Sequence, residues 1–433
     1  MLLYRILSIL ALLAYSPVAL LRSATGRKRM GDWRGKLGLL PYPDLDGGIW
    51  IHAVSVGEVG VARNLLTALS KEAPGARLGL SVTTVAGLAA ARRAAGEIPV
   101  FSFPLDLAGP MEKALASVRP GVLVLTETEL WPLLIDRAAR RGIRIALVNG
   151  RISERSFRRY RLVRGWFSRA LRQVSLFAMQ SEQDAERIRA LGAPEDRILV
   201  TGNVKYDLAP APPFADAARL AAAAAGRPIL VAASTGPGEE EIVLEAWKTV
   251  EPCPCLAIAP RRPERFDEVA RVIESKGFAV IRRSETGLGT RDPGLGEIRN
   301  PPVYLLDSVG ELASLYGQAA LAFIGGSLIE TGGHNPIEAW AQGVAAVVGP
   351  HTENFREITQ AGQRQGILER VAGGRELARA IRAATQDPKT AAAKGAAARA
   401  FVAGNRGAAD ATAHAVARLL PAQPRKRALT VAP

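Results

Sequence analysis

Short apolar runs alternate with amphipathic segments along most of this chain, beginning near Gly48. Brief apolar runs bounded by turn residues are typical of buried parallel strands, and segments with a 3.6-residue apolar period predict helices. Strands that alternate with helices favour a parallel sheet with helices on both faces. The pattern therefore predicts an α/β protein.

The alternation falls into two series of similar length. The first series predicts strands at 49–54, 76–82, 100–103, 122–125, 143–148, 176–179 and 198–200, and helices at 59–69, 85–95, 130–141 and 183–191. The second predicts strands at 229–233, 256–259, 279–281, 303–306, 321–324 and 345–348, and helices at 239–247, 263–276, 311–316, 336–342 and 377–384. Two doubly wound halves are expected, and the cleft between two such halves is the default place for a ligand.

Composition changes mark the expected boundaries. Residues 207–226 are rich in Pro and Ala and suggest a linker between an N-terminal domain at 36–206 and a C-terminal domain at 227–405. Residues 406–433 are expected to hold the end of a helix and a basic tail.

The N-terminus is apolar and has a basic flank. Residues 6–21 are interrupted mainly by Ser8, Ser16 and Pro17, and arginines and lysines follow from Arg22 onward. This run is short for a full membrane span, and a cleaved signal peptide or a buried helix are the alternatives. We expect residues 1–22 to be a membrane anchor or a deep interfacial helix that leaves the rest of the chain on the cytoplasmic side.

Charge and metal-binding residues narrow the possible partners. The 433 residues carry a formal net charge of +15, which suits anionic lipid or a phosphorylated substrate. Nucleic acid is the least favoured of the anionic partners, because no basic region is interleaved with aromatic residues. The 2 cysteines, Cys253 and Cys255, and the 4 histidines lack metal-ligand spacing, so no metal site is predicted.

The densest motif is the segment 325–339, which reads GGSLIETGGHNPIEA and follows the predicted strand 321–324. Asn335 suits a helix N-cap, Pro336 the first helical position and Glu338 a capping box. A strand, a glycine-rich loop and a helix N-terminus together are typical of a phosphate or nucleotide site. An ordinary tight connection with helix caps is the simpler alternative.

Acidic residues follow two strands of the first series. Glu58 could be a general base after strand 49–54, although Ser55 and Glu58 also fit a simple S-x-x-E capping box. Glu127 and Glu129 follow strand 122–125, where buried acids are costly unless they are paired or used. They could hold a substrate hydroxyl or a cation, or Glu129 could merely cap the next helix.

Three further positions lie at strand ends or near the linker. Lys205 could pair with a phosphate or a carboxylate, or it could be a solvated linker lysine. Arg261 or Arg262, after strand 256–259, could bind a phosphate through two hydrogen bonds. The amide of Gly310, after strand 303–306, could receive a nucleotide group, or Ser308 could be a plain N-cap.

At these residues the chain resembles the 3-deoxy-D-manno-octulosonic acid (Kdo) transferases of lipopolysaccharide synthesis. The motifs that carry the resemblance are HAVSVGE (52–58), ETELWP (127–132), PRRPERF (260–266) and GGSLIETGGHNPIEA (325–339). The family consists of inverting glycosyltransferases of the GT-B architecture, in which two Rossmann-like domains face a cleft. The resemblance extends from the N-terminal anchor to about residue 405.

The resemblance implies roles for individual residues. Glu58 matches the catalytic base, and Glu127 and Lys205 match residues that stabilise the transition state. The positions that match the binding site for the CMP part of the donor are Pro260, Arg261, Val309, Gly310, Glu311, Asn335, Pro336, Ile337 and Glu338. Arg262 stands where the family commonly has histidine, and Trp340 stands where it has a small residue. The difference at Trp340 leaves open the shape of the helix after the nucleotide loop.

The implied donor is CMP-Kdo and the implied acceptor is the lipid A precursor, at the inner membrane. A single phosphodiester is a good leaving group, so no metal or other cofactor is expected. Another enzyme with two Rossmann-like domains, such as a nucleotide-sugar epimerase or a different glycosyltransferase, is the first alternative. A membrane-tethered protein that binds nucleotide or lipid phosphate without catalysis is the second.

Overall fold

A computed structural model of the chain describes residues 32–285 and 301–421. The predicted anchor at 1–22 lies outside the described residues, and so does the end of the basic tail from residue 422. Within the described ranges, no helix has both the length and the apolar content that crossing a membrane requires.

The described chain divides into two compact units. The first comprises the residues up to Asp207 together with those from Asn405 onward, and the second comprises Leu208–Gly404. The residues predicted as a linker, 207–226, include an α-helix, Ala217–Ala224, which belongs to the second unit. Tyr304 donates a hydrogen bond from its hydroxyl to Asp216, 2.6 Å away, and so ties the start of that helix to a strand of the same unit.

The first unit is a parallel sheet of seven strands. Its strands are β1 Ile49–Ala53, β2 Leu78–Val82, β3 Val100–Ser102, β4 Val122–Thr126, β5 Arg144–Gly150, β6 Leu176–Met179 and β7 Ile198–Val200. Its helices are α1 Trp33–Lys36, α2 Val56–Glu72, α3 Val85–Ala94, α4 Ala108–Val118, α5 Pro132–Arg140, α6 Glu154–Leu162, α7 Arg164–Leu171 and α8 Glu182–Ala190. The strand order is β3-β2-β1-β4-β5-β6-β7, so the direction of winding reverses between β1 and β4.

Strand β1 explains why these runs are apolar at consecutive positions. Trp50 belongs to the core on one face of the sheet, whereas Ile49 and Ile51 belong to the core on the other face. Successive side chains of a strand point to opposite faces, so a sheet that is covered on both sides needs apolar residues at every position.

The second unit repeats this plan. Its strands are β8 Ile229–Thr235, β9 Cys255–Pro260, β10 Val280–Arg282, β11 Val303–Leu305, β12 Leu321–Ile324, β13 Ala346–Val348 and β14 Leu368–Arg370. Its helices are α9 Ala217–Ala224, α10 Glu239–Trp247, α11 Phe266–Ser275, α12 Leu312–Tyr316, α13 Ile337–Ala341, α14 Arg356–Arg364, α15 Gly374–Gln386 and α16 Pro388–Gly404. All pairings are parallel in the order β10-β11-β9-β8-β12-β13-β14, and the winding reverses between β8 and β12.

The chain returns to the first unit at its end. Helix α17, Ala408–Ala417, packs against α2. The Asp207 carboxylate accepts hydrogen bonds from the backbone N–H groups of Gly407 and Ala409, each at 2.6 Å. Asp207 ends the first long segment of the unit, and it therefore also caps the N-terminus of α17.

Candidate active site

The strand order places two of the predicted acids side by side. Glu58 follows β1 and Glu127 follows β4, and these two strands are hydrogen-bonded neighbours at the winding reversal of the first sheet. Ligands of open α/β sheets bind at this point, outside the carboxyl ends of the strands.

Glu58 lies in the first turn of α2 and is almost buried, with 7% of its surface exposed. Its Oε2 accepts hydrogen bonds from the Val54 backbone N–H at 3.0 Å and from the Thr126 hydroxyl at 2.8 Å. Its Oε1 accepts one from the Ser55 hydroxyl at 3.0 Å. A carboxylate can accept about four hydrogen bonds, so these three donors leave room for one more at Oε1.

The capping-box interpretation of this motif is wrong. Ser55 precedes α2, but its side chain makes no capping bond to the helix backbone and donates instead to the Glu58 carboxylate. Glu58 in turn accepts from Val54, not from the Ser55 backbone. The local hydrogen bonds therefore orient the carboxylate of Glu58 and do not cap the N-terminus of α2.

Burial raises the pKa of Glu58 above its ordinary value, and the nearby charge of Glu127 raises it further. The hydrogen bonds from Val54, Thr126 and Ser55 act in the opposite direction, because they favour the ionised form. A carboxyl group whose pKa is raised towards neutrality is a stronger base than an ordinary surface glutamate.

Glu127 and Lys205 form an ion pair beside this group. The Lys205 Nζ lies 2.7 Å from Glu127 Oε1, and both side chains are largely buried. Glu127 has a positive φ of 53°, which is uncommon for a residue with a side chain and is often found at functional sites. Lys205 is therefore not a free solvated lysine.

The backbone around Lys205 is fixed by two asparagines that the sequence analysis did not single out. Lys205 lies in a 3-10 turn, Val204–Tyr206. Asn149 Oδ1 accepts from the Val204 N–H at 3.0 Å, and Asn64 Nδ2 donates to the Asp207 carbonyl at 2.7 Å. Strand β5 and helix α2 thus both hold the turn that presents the lysine.

Glu129 is the third acid of the group. Burial, followed by the charges of Glu58 and Glu127, raises the pKa of Glu129 to about 7. The helix that begins at Pro132 has Trp131 as its N-cap residue, so Glu129 does not cap it. At neutral pH the Glu129 carboxyl is part protonated and part ionised.

His52 opens the HAVSVGE motif but faces the core. It is completely buried, stacks on Phe103 with 3.6 Å between the ring centroids, and places Nδ1 3.0 Å from the Ser81 hydroxyl. Burial lowers the pKa of His52 to about 3, so the ring is neutral. Its backbone carbonyl also accepts from the Thr126 hydroxyl at 2.9 Å, which links this strand to the Glu58 site.

In the second unit the corresponding sheet edge is organised by Glu239, which the sequence analysis treated only as the start of a helix. Glu239 is fully buried at the beginning of α10, after β8. Its Oε2 accepts from the Gly236 and Gly326 backbone N–H groups at 2.8 and 2.6 Å. Its Oε1 accepts from those of Ser327 and Leu328 at 3.0 and 2.9 Å.

This carboxylate changes the interpretation of the glycine-rich loop. The backbone N–H groups of Gly326, Ser327 and Leu328 bind Glu239, so an incoming phosphate does not meet them as free donors. Gly325 is required because a Cβ there would lie 2.7 Å from the Ser234 carbonyl oxygen. The glycines thus allow the loop after β12 to pack closely on the end of β8.

The second part of the same loop carries the predicted CMP-binding positions 335–338. Asn335 Oδ1 accepts from the Ile337 N–H at 3.1 Å, while Pro336 and Ile337 are buried and Glu338 is half-buried. The helix that follows is only five residues long and begins one residue later than predicted. Trp340 is completely buried, and its ring lies beside Gly362 of α14 and 6.0 Å, between ring centroids, from Phe401 of α16.

Pro260 and Arg261 lie at the end of the neighbouring strand. Pro260 is the last residue of β9, and the Arg261 N–H donates to the Thr235 carbonyl at 3.1 Å. Burial, and then the nearby positive charge of Arg261, lower the pKa of His334 to about 4. The exposed Arg261 therefore lies close to the loop after β12, and His334 is neutral.

The positions Val309, Gly310 and Glu311 follow β11, with two strands between β11 and β12. Strands are spaced about 4.8 Å apart, so these loops lie roughly 14 Å apart along one edge. Glu311 pairs with Arg283 at 3.0 Å. The residue before α12 is Glu311, so the alternative that Ser308 is the N-cap of this helix is wrong. Val309 is 77% exposed, and Gly310 has a φ of 93° that favours glycine.

Two parallel α/β units, each with polar groups at its winding reversal, define a fold of paired Rossmann-like units. A Rickettsia africae glycosyltransferase is similar in structure, with a TM-score of 0.54 and 11% identity over 88% of this chain and 100% of that one. A Neisseria meningitidis UDP-GlcNAc 2-epimerase bound to UDP-GlcNAc has a TM-score of 0.52 and 11% identity over 83% and 99%. Since a transferase and an epimerase share it, this fold does not choose between them.

Sequence relatives make that choice. A family model described as 3-deoxy-D-manno-octulosonic-acid transferase matches residues 31–208, and one for group 1 glycosyl transferases matches residues 302–401. The 3-deoxy-D-manno-octulosonic acid transferase of Haemophilus influenzae is 36% identical over 84% of this chain and 84% of its own length. The Bordetella pertussis transferase is 32% identical over 90% and 93%. The chain belongs to the Kdo transferase family.

Proposed function

We propose that this protein transfers Kdo from CMP-Kdo to the disaccharide lipid A precursor, lipid IVA, with inversion at the anomeric carbon. Its membership in the Kdo transferase family supports the sugar and the reaction class. The observation that carries the mechanism is the buried Glu58 carboxylate, which three hydrogen-bond donors hold in one orientation.

Glu58 is the general base of this mechanism. Its carboxylate takes the proton from the acceptor hydroxyl while that oxygen forms a bond to the anomeric carbon of Kdo. The bond from this carbon to the phosphate oxygen of CMP breaks, and its electron pair leaves with CMP. Attack opposite the leaving group inverts the anomeric carbon. The raised pKa of Glu58 suits the base, since proton transfer is most efficient when the pKa lies near the working pH.

Glu127 and Lys205 stabilise the transition state in this proposal. Positive charge develops on the sugar and negative charge on the departing phosphate, so groups of both signs are useful there. The ion pair holds the two charged groups in a defined geometry before substrate arrives. Preorganised charges of this kind need little rearrangement during the reaction.

The CMP part of the donor is assigned to the second unit. Arg261 supplies a cation for the phosphate, while Val309, Gly310 and Glu311 and the segment 335–338 complete the nucleotide site. The positions of these residues support the assignment, because parallel strands bring all these loops to one sheet edge. CMP leaves as a monophosphate, so the proposal requires no divalent cation.

The same proposal places the protein at the inner membrane, with both units on the cytoplasmic side. The apolar residues at 6–21, the basic flank that follows and the net charge of +15 support it. The acceptor is itself a membrane lipid, so an enzyme that binds it gains from attachment to the same surface.

The test is incubation of the purified full chain with CMP-Kdo and lipid IVA in the presence of EDTA. Mass spectrometry is expected to show the acceptor gaining the mass of Kdo, and NMR of the product is expected to show the inverted anomer. Retention of configuration would refute the single displacement, and no gain in mass would refute the assigned acceptor.

A further inference from the structure

The loop after β9 carries two of the three arginines of the PRRPERF motif. Its residues 261–264, called the β9 loop below, are all exposed. The third arginine, Arg265, directly follows the loop and is buried, with 8% of its surface exposed. The side chain that can attach this exposed loop to the rest of the second unit is therefore that of Arg265.

Arg265 binds a fully buried carboxylate. Its Nη1 donates to Glu240 Oε1 at 2.7 Å, and its Nη2 donates to Glu240 Oε2 at 3.1 Å. Glu240 lies in the first turn of α10 and has no exposed surface. Two parallel hydrogen bonds between a guanidinium and a carboxylate fix the direction of the contact as well as its length.

The other end of the β9 loop is attached through Thr235, the last residue of β8. The Thr235 carbonyl accepts from the Arg261 N–H at 3.1 Å. The Thr235 hydroxyl donates to Glu240 Oε1 at 2.7 Å. Thr235 thus holds the start of the loop and Glu240 holds its end, and a hydrogen bond joins these two residues.

The end of β8 departs from regular strand geometry at this contact. Between Ala233 and Thr235 the pairing with β9 is irregular, and two steps along β8 match one step along β9. Ser234, between them, has a φ of 55°, which is uncommon for a residue with a side chain. A bulge of this kind redirects the side chain that follows it, and here that side chain is the buried hydroxyl of Thr235.

Glu239 and Glu240 serve different loops. Strands β9 and β12 are the two neighbours of β8 in the sheet. Glu239 binds the N–H groups of the loop after β12, whereas Glu240 binds the β9 loop through Arg265. Consecutive residues of a helix point in directions about 100° apart, so adjacent carboxylates at the start of α10 can reach both loops.

Simple attachment of α11 to α10 is the ordinary explanation of such a pair, since replacing a buried ion pair by apolar residues is often neutral for stability. The distribution of charge argues for more. Arg265 takes both nearby acids, Glu240 and Glu268, at 2.7 and 2.8 Å. Arg261 is exposed, and within residues 32–285 and 301–421 no carboxylate forms an ion pair with it. The first cation of the β9 loop is therefore available to a ligand.

We propose that Glu240 is a positioning residue for the donor phosphate: through Arg265 it fixes the β9 loop, and so holds Arg261 in place for the phosphate of CMP. The inference rests on the proposed function, which assigns Arg261 to this phosphate. The preference of the site for a phosphorylated nucleoside then depends on a buried pair that does not itself bind the phosphate.

The test is the binding of CMP and of cytidine to the full chain, measured by titration calorimetry. The ratio of the two affinities, called the phosphate preference, reports the contacts to the phosphate. Arg261→Gln is expected to lower this ratio about tenfold, with the affinity for cytidine unchanged. Glu240→Gln and Arg265→Lys are expected to lower it by a similar factor, because neither keeps both hydrogen bonds of the pair.

Glu268→Gln is the matched control. Glu268 binds the same arginine, but it lies on α11 and does not connect the β9 loop to β8. Its replacement is expected to leave the phosphate preference unchanged. In the Glu240→Gln protein, Arg261→Gln is expected to have little further effect, because both substitutions act on one contact.

Three results overturn the proposal while Arg261→Gln lowers the phosphate preference. They are an unchanged preference in Glu240→Gln and Arg265→Lys, equal losses of affinity for CMP and cytidine, and additive effects of Glu240→Gln and Arg261→Gln. Equal losses would mean that the pair only maintains the shape of the unit. Should Glu240→Gln not fold, Arg265→Lys, which keeps the buried charge, decides the question.

The effect of Arg261→Gln alone tests the underlying assignment. If it leaves the phosphate preference unchanged, Arg261 does not bind the phosphate, and that part of the proposed function fails together with the positioning role. No sugar is transferred in these titrations. Failure of the positioning role alone is therefore distinguishable from failure of the proposed function.

Discussion

At the residue scale, the site depends on how the protein controls three carboxyl groups within one small region. Hydrogen bonds hold Glu58, and an ion pair with Lys205 holds Glu127. For Glu129, burial has the largest effect on the pKa. The surroundings of these acids differ, and burial raises the pKa of Glu58 and of Glu129. Enzymes commonly obtain distinct roles from similar side chains in this way.

Glu129 should make stability depend on pH. Its pKa rises from 4.5 to about 7 in the folded protein, so the folded state holds a proton that the unfolded state releases. This stabilisation is present below pH 4.5 and is lost as the pH rises through about 7. Glu129→Gln should raise the melting temperature by a few degrees at pH 8 and change it little at pH 4.5. Equal effects at both values would show that Glu129 is already ionised in the folded protein.

Lys205 should set the pH dependence of the reaction. In Lys205→Gln the charge of Glu127 is no longer balanced, so the pKa of Glu58 should rise further. The acid limb of the kcat/KM profile should then move up by about one pH unit, and kcat should fall. Lys205→Arg is the control that keeps the charge. A lower melting temperature with an unmoved acid limb would mean that the ion pair is only structural.

The residues that sequence analysis missed have a common character. Thr126, Asn149 and Glu239 act through hydrogen bonds to backbone groups that are distant in the chain. Gly236 is 90 residues from Gly326 in sequence, and no local pattern indicates that one carboxylate binds both. Glu58, Glu127 and Lys205 were found because they stand at strand ends or in motifs.

At the element scale, the parallel strands were predictable and several helices were not. All seven strands of the first sheet were expected, and inner strands such as β4 and β6 are buried on both faces and therefore almost continuously apolar. Helix α6 was missed because few of its residues are apolar, and those that face the core, Phe157 and Tyr160, are only partly buried. Strand β14, with the sequence LER, was missed because it lies at a sheet edge and is only partly buried.

Glu239 should control the shape of the loop after β12. Glu239→Gln replaces one accepting oxygen by an NH₂ group that faces backbone donors, so the loop should lose part of its attachment to β8. A buried donor without a partner costs about 1–3 kcal/mol, and donor KM should rise more than kcat falls. Glu245→Gln, on the exposed side of the same helix, is the control. Unchanged stability and KM would show that the four hydrogen bonds are dispensable.

At the scale of the whole molecule, the return of the chain to its first unit was not evident in the sequence. The segment 385–421 is rich in alanine, which gives little indication of which unit a helix packs against. The structure assigns α16 to the second unit and α17 to the first. The first unit is thus built from both ends of the described chain.

This arrangement predicts that the last helix stabilises the first unit. Asp207→Ala removes the cap from the start of α17 and should cost about 0.5–2 kcal/mol. Chemical unfolding, followed by exchange of peptides from each unit, is the measurement. Loss of protection should be found in residues 32–207 first. If peptides of the second unit lose protection instead, the assignment of α17 to the first unit is contradicted.

The central claim is that the Glu58 carboxylate activates the acceptor hydroxyl, and Glu58→Gln tests it most directly. Transfer from CMP-Kdo to lipid IVA would be timed by mass spectrometry, and donor affinity would be measured on the same protein, with the exposed Glu97→Gln as the control. We expect turnover to fall by about 10²–10⁴-fold, with donor affinity and melting temperature close to those of the unsubstituted protein. Turnover that stays within a few-fold of the control would contradict the account.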